Sequence, residues 1–402
     1  MTPAATRYLL LAALIMLSPA LARGGGMIHG TVQTTDGKTL TGNLRWDRNE
    51  NFWDDTLDAT KEEKLLVEEK EEDSSFRFLG MKLPSWGGDE TWIMHQFSIP
   101  FGHLHAVEPM QKGWAQVELK GGQTFKVRAN TTDLGRSMRD LLVTVPGKEP
   151  VTLQWSDLRR VEFSRTSDAA GDKERLYGTV KTRSGNFTGF VVWDRDESLL
   201  GDILDGENQG QDHDIPFRRI RYIQRSGHSA STIGTEDGKE IVLSGTNDVN
   251  DDNRGILVTL EGTGTVAIPW DEFDRFERSP APASPAYDSF DGGYRLHGTV
   301  TAADGSRHAG PITWDRDEQF SWETLNGRAG ELAYAIPFAN IATLENSNRH
   351  GAVVHLRNGQ ILELRGSNDV NQENKGILID SSDQEPVELT WDSFQQVEFD
   401  TP

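Results

Sequence analysis

Two loops of the chain carry oxygen-bearing side chains at alternate positions, a spacing that suits a hard cation such as calcium. The loops span 245–256 and 366–377 and are closely similar in sequence. Neither loop has the glycine expected after the third ligand, or a bidentate Glu at the required distance. The predicted calcium ligands are Asp248, Asn250 and Asp252 in one loop and Asp369, Asn371 and Glu373 in the other.

The same loops also fit a capped turn that needs no ion. Asn or Asp would cap the start of this turn, and Gly255 or Gly376 would end it in the left-handed conformation. The matching loop of the first third, 131–139, keeps only Asp133. Under either interpretation the candidate binding residues are Asn247, Asp248, Asn250, Asn253, Asn368, Asp369, Asn371 and Asn374.

A second group of carboxylates lies in a Trp-Asp-Arg-(Asp/Asn)-Glu motif that begins at Trp46, Trp193 and Trp314. Paired carboxylates could act as general acid and base. An active site is usually assembled once, so the threefold recurrence favours a structural turn whose Trp fills the core and whose Asp binds backbone donors. The sequence contains no cysteine and no hydrolase elbow, zinc-protease, P-loop or dinucleotide motif. It therefore predicts a protein that is not an enzyme.

The elements that would position these residues repeat three times along the chain. A hairpin dipeptide such as Asp36-Gly37 recurs six times between segments that alternate in period two, which predicts six β-hairpins. Each hairpin is followed by a ten-residue signature whose apolar spacing predicts a strand, one 3₁₀ turn and a closing strand. The signatures lie at 99–108, 153–162, 215–224, 268–277, 336–345 and 389–398.

The sequence of each third therefore predicts two successive small five-stranded barrels, which makes an all-β protein of six barrels. The Pro-rich segment 279–293 and the polar segment 165–174 are predicted to be exposed linkers. The predicted barrels span 27–109, 113–164, 175–225, 229–278, 294–346 and 350–400.

The order of hairpin glycine, second glycine, Trp-Asp and closing strand resembles that of the Sm-like and Src-homology-type small barrels. In the last third these are Gly305, Gly310, Trp314-Asp315 and 336–338. The resemblance implies SH3-like or Sm-like barrels over nearly all of 27–400. The Asn with which Sm proteins contact a base has a counterpart only at Asn51, and a net charge of −22 opposes approach to a phosphate backbone. We therefore expect no nucleic-acid partner.

The first third carries an insertion at about 58–96. From Trp46 to Phe101 is 55 residues, whereas the matching distance in each of the other thirds is 24, so the insertion adds 31 residues. It joins an acidic stretch to an apolar one. It could fold back onto its own barrel, or it could be an exposed arm that docks a partner. The docking residues of such an arm would be Phe76, Phe78, Leu79 and Trp86.

Residues 1–22 have the pattern of a signal peptide, with Arg7 before an apolar run and small residues up to Ala22, where we expect cleavage. The protein is thus predicted to be exported, to the periplasm or the extracellular space. No later segment is long and apolar enough to span a membrane. Without cysteine, the stability of an exported chain must come from packing.

These patterns together predict an exported, non-enzymatic scaffold that binds a protein or cell-envelope partner and needs no cofactor. The alternative is a calcium-dependent protein, in which the loops around Asp248 and Asp369 bind the ion for stability or for glycan recognition. A hydrolase of envelope polymers is a third hypothesis, and it would need an acidic cleft between barrels.

Overall fold

The structure is a computed structural model that describes residues 26–64, 77–78, 81–82, 92–166, 175–381 and 384–401. These residues form an all-β fold of antiparallel strands joined by turns and short 3₁₀ helices. Within these ranges, no helix combines the length and the apolar character that crossing a membrane requires. The predicted signal peptide and most of the predicted linker 165–174 lie outside the described residues.

The strands of the first third are β1 (His29–Thr34), β2 (Thr39–Trp46), β3 (Thr56–Lys64), β4 (Arg77–Phe78), β5 (Met81–Lys82), β6 (Trp92–Pro100), β7 (Leu104–Pro109), β8 (Trp114–Leu119), β9 (Thr124–Arg128), β10 (Leu141–Thr144), β11 (Val151–Leu153) and β12 (Leu158–Phe163). Those of the second third are β13 (Tyr177–Thr182), β14 (Gly185–Val192), β15 (Ile203–Asn208), β16 (Gln211–Pro216), β17 (Ile220–Arg225), β18 (Ala230–Thr235), β19 (Glu240–Ser244), β20 (Ile256–Leu260), β21 (Gly264–Ile268) and β22 (Phe273–Arg278).

The strands of the last third are β23 (His297–Ala302), β24 (Arg307–Thr313), β25 (Thr324–Ala329), β26 (Leu332–Pro337), β27 (Ile341–Asn348), β28 (Gly351–Leu356), β29 (Ile361–Arg365), β30 (Ile377–Ser381), β31 (Gln384–Leu389) and β32 (Phe394–Phe399). The 3₁₀ helices are Phe101–His103, Gln111–Gly113, Gly135–Ser137, Trp155–Asp157, Phe217–Arg219, Tyr287–Ser289, Phe338–Asn340, Asn368–Val370 and Trp391–Ser393.

The local predictions are confirmed by these elements. All six predicted hairpins form, as β1–β2, β8–β9, β13–β14, β18–β19, β23–β24 and β28–β29. Five of the six signatures contain a 3₁₀ helix between two strands, and the signature at 268–277 has a turn at 270–272 instead. Strand, turn and strand therefore repeat as the apolar spacing predicts.

Each third consists of two five-stranded units whose strands come from both halves of its sequence. In the first third, unit A has the strand order β11-β10-β2-β1-β12 and unit B the order β7-β8-β9-β3-β6. Trp46 of β2 lies opposite Leu141 of β10, and Thr60 of β3 lies opposite Arg128 of β9. The same pairings recur as β14–β20 and β15–β19, and as β24–β30 and β25–β29. The two halves of each third have thus exchanged their first two strands.

This exchange corrects the predicted division of each third into two successive barrels. The sequence predicted 27–109 and 113–164 as separate units, but the pairings of β2 with β10 and of β3 with β9 both cross that boundary. The physical reason is that the two halves resemble each other, so the strand pair of either half completes the three remaining strands of the other. The smallest complete packing unit is therefore a whole third.

The second and last thirds share one 20-stranded sheet, because β21 pairs with β26 across their boundary. Gly264 begins β21 with a φ of +134°, and a Cβ atom there would lie 2.3 Å from the carbonyl oxygen of Ala335. Only glycine allows the two backbones to approach this closely. The first third forms a separate 10-stranded sheet.

The predicted linker 279–293 packs against the first third, which corrects its prediction as an exposed connection. Tyr287 is 9% exposed, its ring centroid lies 4.5 Å from that of Trp53, and its hydroxyl donates to the carbonyl of Leu104 at 2.7 Å. Lys120 Nζ donates to the carbonyl of Tyr287. An aromatic ring with a polar end can be buried when its hydroxyl finds an acceptor, so this segment fastens the last third to the first.

A buried ionic cluster of Lys61, His95, Asp317 and Glu323 also joins the first and last thirds. Lys61 Nζ lies 2.6 Å from Glu323 Oε1 and 3.2 Å from Asp317 Oδ1. His95 Nδ1 lies 3.0 Å from Asp317 Oδ2. Lys61 and His95 belong to β3 and β6, which have nine residues each where their counterparts have six, so both ends of the predicted insertion extend this hairpin.

Candidate functional site

Two segments of each third carry the chain between its units, and they contact each other. The crossover turn follows β2 or its counterpart and contains the Trp-Asp-Arg motif. The crossover loop follows β9 or its counterpart and contains the predicted calcium ligands of the second and last thirds. The indole nitrogen of each motif Trp donates to a backbone carbonyl of the crossover loop at 2.8–2.9 Å. These pairs are Trp46 with Asp133, Trp193 with Asp248, and Trp314 with Asp369.

The Asp of the motif ties the crossover loop to the crossover turn. Asp194 is fully buried and accepts from the backbone N–H of Arg254 at 2.5 Å, from Arg254 Nε at 2.9 Å and from the amide of Asn247. Asp47 accepts from the N–H of Arg139 at 2.6 Å in the same way. A buried carboxylate with several charge-assisted donors stabilises the loop that it binds.

The predicted loop ligands of the second third lie in different surroundings. Asp248 is 5% exposed and accepts from the N–H of Asp205 at 2.8 Å. Asn250 accepts from the N–H of Asp252 at 2.8 Å, whereas the side chain of Asp252 is exposed. Asn253 accepts from the N–H of Gly255 at 3.0 Å. The bonds of Asn250 and Asn253 to the backbone N–H two residues later are those of a capped turn.

The loop of the last third repeats this arrangement residue by residue. Asp369 accepts from the N–H of Asn326 at 2.6 Å, and Asn371 accepts from the N–H of Glu373, which is exposed, at 2.7 Å. Asn374 accepts from the N–H of Gly376 at 3.0 Å, and the amide of Asn368 donates to Asp315.

Asp248 meets two carboxylates of the crossover turn rather than its predicted partners. Oxygens of Asp194, Glu197 and Asp248 all lie within 4.8 Å of one another, as do those of the matching residues of the first third, Asp47, Glu50 and Asp133. Burial raises the pKa of Glu197 to about 9 and that of Glu50 to about 10, and neighbouring carboxylates add to both shifts. Oε2 of each Glu is buried without a hydrogen-bond partner. Each Glu therefore holds a proton at neutral pH.

We expect Glu197→Gln to stabilise the protein at pH 8 and to have little effect at pH 5. The unfolded Glu ionises near its ordinary pKa of 4.5, whereas the folded Glu keeps its proton up to pH about 9. The native state thus binds more protons in this window, and the stability of the wild-type protein falls as pH rises through it. The neutral Gln removes a dependence of about 2–4 kcal/mol between the two pH values. Urea unfolding at both values measures it, with the exposed Glu261→Gln as control.

In the second and last thirds, the turn between β17 and β18, or between β27 and β28, is hydrogen-bonded to the crossover loop. The N–H of Asp251 donates to the carbonyl of His228 at 2.8 Å, and their side chains lie 3.8 Å apart. The N–H of Gln372 donates to the carbonyl of Arg349 at 3.0 Å, and Arg349 Nε donates to Gln372 Oε1 at 2.6 Å. Each of these pairs combines a basic residue of the turn with an acceptor from the loop.

The first third has two cations at these matching positions, Lys112 in the turn and Arg136 in the crossover loop. Two like charges cannot form this pair, and among the described residues neither side chain has an ion-pair or hydrogen-bond partner. A second contact of this turn is also missing in the first third. In the other thirds, the side chains of Arg225 and Asn346 donate to the carbonyls of Trp270 and Trp391. The matching residue of the first third is Pro109, whose side chain has no donor.

A groove of about 1000 Å³ opens where the turn and the crossover loop of the first third separate. Its apolar surface comes from Met110, which is 44% exposed, and from Met138 and Trp155. Trp155 is 8% exposed, whereas its counterparts Trp270 and Trp391 are 3% and 2% exposed. The remaining lining residues are Lys112, Gly113, Ala129, Gly135, Arg136, Ser137, Gln154 and Ser156, so the described lining contains no carboxylate.

This groove is not predicted from any single motif of the sequence. It is indicated only by differences between the thirds. Arg136 is basic where the matching residues are Asp251 and Gln372, and Met138 stands where the other thirds have Asn253 and Asn374. Among the predicted docking residues of the insertion, Phe76, Leu79 and Trp86 lie outside the described residues. Phe78 lies in the short strand β4, opposite Met81 of β5.

Comparison with known proteins gives little. No protein-family model matches the chain, and no curated protein matches it. One solved structure, described as a streptogramin B lyase structure, aligns with 74% of this chain and 94% of its own at 12% identity, with a TM-score of 0.14. A TM-score of this size does not indicate a shared fold.

Proposed function

We propose that the protein is an exported, non-enzymatic interaction protein built of six small half-open barrels of the Sm-like or Src-homology type. The strand order supports this description of the units. In unit A of the first third, β1 pairs with both β2 and β12, and a 3₁₀ helix precedes β12 as in the predicted barrel. On this proposal, each barrel is a five-stranded unit that takes its strands from both halves of a third.

We propose further that a partner binds in the groove of the first third. The observation that carries this proposal is a groove at the place where, in the other two thirds, the turn and the crossover loop are hydrogen-bonded to each other. The carboxylate motifs recur in every third and hold crossover segments, which is a structural role. A concave surface with an apolar floor and a few polar groups at its rim is the common form of a binding site.

Site-specific cross-linking in the exporting cell tests this role. A photo-cross-linkable phenylalanine analogue at position 110 should capture a partner, because Met110 lies at the rim of the groove. The same analogue at position 242 is the matched control, since Val242 is 48% exposed and Met110 is 44% exposed. We expect discrete cross-linked species from position 110 alone. Equal products from both positions, or none from position 110, would contradict the proposed site.

Calcium binding is a second candidate function, favoured by the carboxylate clusters around Glu50 and Glu197. A buried carboxylate cluster can be neutralised either by protons or by a cation, and Asp and Glu oxygens are the ligands that calcium prefers. Calcium would have to displace the proton of Glu197, so binding at neutral pH would release protons.

Calorimetry with calcium on the full chain tests this candidate. Repeating the titration in buffers of different ionisation enthalpy counts the released protons. The double variant Asp133→Ala, Asp248→Ala, with one substitution in each cluster, and the variant Glu197→Gln should weaken the heat if the clusters bind the ion. An absence of both heat and a shift in melting temperature would remove calcium from the account.

A further inference from the structure

In the second and last thirds, called the covered thirds below, the crossover loop is bonded to the turn where the first third has its groove. The covered thirds show which chemical group the groove lacks. In each covered third, a loop residue with a side-chain oxygen, Asp251 or Gln372, reaches the basic residue of the turn. The first third keeps the basic residue, Lys112, and replaces the oxygen with the guanidinium of Arg136. The missing group is therefore an acceptor that would lie between two cations.

We propose that this acceptor is a carboxylate on an extended acidic peptide of the partner, bound between Lys112 and Arg136 with an apolar side chain against Met110. This inference rests on the proposed binding role of the groove. An Arg binds a carboxylate through two parallel hydrogen bonds, and an ammonium adds a point charge. A carboxylate between the two would satisfy both side chains at once.

The charge of the surroundings favours an anionic ligand at this place. The chain has a net charge of −22, yet the described lining of the groove contains two cations and no acidic residue. Acidic side chains elsewhere repel an acidic peptide, so an anion that binds is directed to this groove. The field also selects against a basic peptide, which would meet two like charges at the rim.

The apolar floor favours a peptide over a compact inorganic anion. Met110 offers an exposed, flexible thioether beside the largely buried Met138 and Trp155, and methionine is frequent on surfaces that bind peptide side chains. About 1000 Å³ is far more than one carboxylate needs. In the covered thirds a stretch of polypeptide, the crossover loop around Asp251, already presents its acceptor here, so a peptide backbone suits the geometry.

Fluorescence anisotropy on the full chain tests the proposal with three labelled probes. They are the acidic peptide acetyl-Leu-Asp-Phe-Asp-Leu-amide, its neutral counterpart acetyl-Leu-Asn-Phe-Asn-Leu-amide, and an alginate oligomer. We expect the acidic peptide to bind at least about tenfold more tightly than the neutral one, as a charge-assisted contact requires. Arg136→Asp, which restores the residue type of the second third, should abolish binding by pairing with Lys112.

The matched control is Arg183→Asp, which makes the same change of charge at an exposed position of the second third and should leave binding unchanged. Equal affinity for the acidic and neutral peptides, or retained binding by Arg136→Asp, overturns the carboxylate assignment. Binding of the alginate alone, or no binding at concentrations up to about 1 mM, overturns the peptide assignment. Cross-linking from position 110 is independent of these probes, so a partner captured there leaves the proposed function standing when the carboxylate assignment fails.

Discussion

Replacing Gly264 by alanine is expected to reduce the free energy of unfolding by about 4 kcal/mol, and to weaken the contact between the second and last thirds. Gly264 has a φ of +134°, which an L-residue adopts only with strain, and its Cβ would lie 2.3 Å from the carbonyl oxygen of Ala335. The strands β21 and β26 would have to separate, with loss of the pairing that joins the two thirds. Urea unfolding of the variant measures the loss.

Gly238→Ala is the matched control for this substitution. Gly238 also has a positive φ, +81°, but no atom lies within 4 Å of the position its Cβ would take. Its replacement carries the backbone strain alone, about 1 kcal/mol. If the two alanine variants were equally stable, the close approach of β21 and β26 would have no part in the requirement for Gly264.

Removing the amine of Lys61 is the second change from which we expect a large effect, a loss of about 3–5 kcal/mol for Lys61→Ala at pH 7. Its side chain is 7% exposed, and its ammonium lies 2.6 Å from Glu323 and 3.2 Å from Asp317. Without it, the two carboxylates stay buried at the interface of the first and last thirds, with His95 beside Asp317 and the backbone N–H groups of Gln319 and Phe320 bonded to Glu323. A buried charge without a partner costs far more than an exposed one.

The dependence of this loss on pH follows from the two carboxylates. Burial already raises the pKa of Glu323, while Lys61 and His95 hold that of Asp317 below its usual value. In the variant both carboxyls would retain protons to higher pH, so its native state would bind more protons than its unfolded state. The deficit should therefore shrink as pH falls toward 4.

Two further variants complete this experiment. Lys38→Ala breaks the exposed pair of Lys38 and Asp36, at 73% and 57% side-chain exposure, and should have little effect on stability because solvent screens the pair. Lys61→Met combined with Glu323→Gln removes a cation and an anion together and should recover part of the loss. A loss for Lys61→Ala as small as that for Lys38→Ala would show that the buried ionic cluster does not stabilise the interface.

Local elements of this fold could be predicted from the sequence because their causes are local. Dipeptides such as Asp36-Gly37 and Asn358-Gly359 determine where hairpins turn, and the apolar spacing of the signatures determines the 3₁₀ turns. The exchange of strands could not be predicted in this way. The strand pair β1–β2 presents a similar edge to both halves of its third, so the same pattern fits successive and exchanged pairing.

The candidate site likewise has parts that the sequence indicates and parts that depend on the three-dimensional pairing of strands. The crossover loops were identified because Asp248 and Asp369 stand in a repeated and unusual sequence, but the meeting of Asp248 with Glu197 depends on the exchanged topology. The groove depends on two residues, Lys112 and Arg136, that are ordinary in isolation. Their meaning comes from the contacts that the equivalent positions make in the other thirds.

The exchange of strands also determines when the chain can fold during its synthesis. β1 and β2 pair with β10 and β12, so unit A of the first third is incomplete until Phe163 has left the ribosome, whereas unit B needs the chain only up to Arg128. Until then the hairpin of β1 and β2 exposes edges and apolar side chains, and such late, long-range pairings are slow to form. The two units of the first third are therefore completed in the reverse of the order in which their first strands are synthesised.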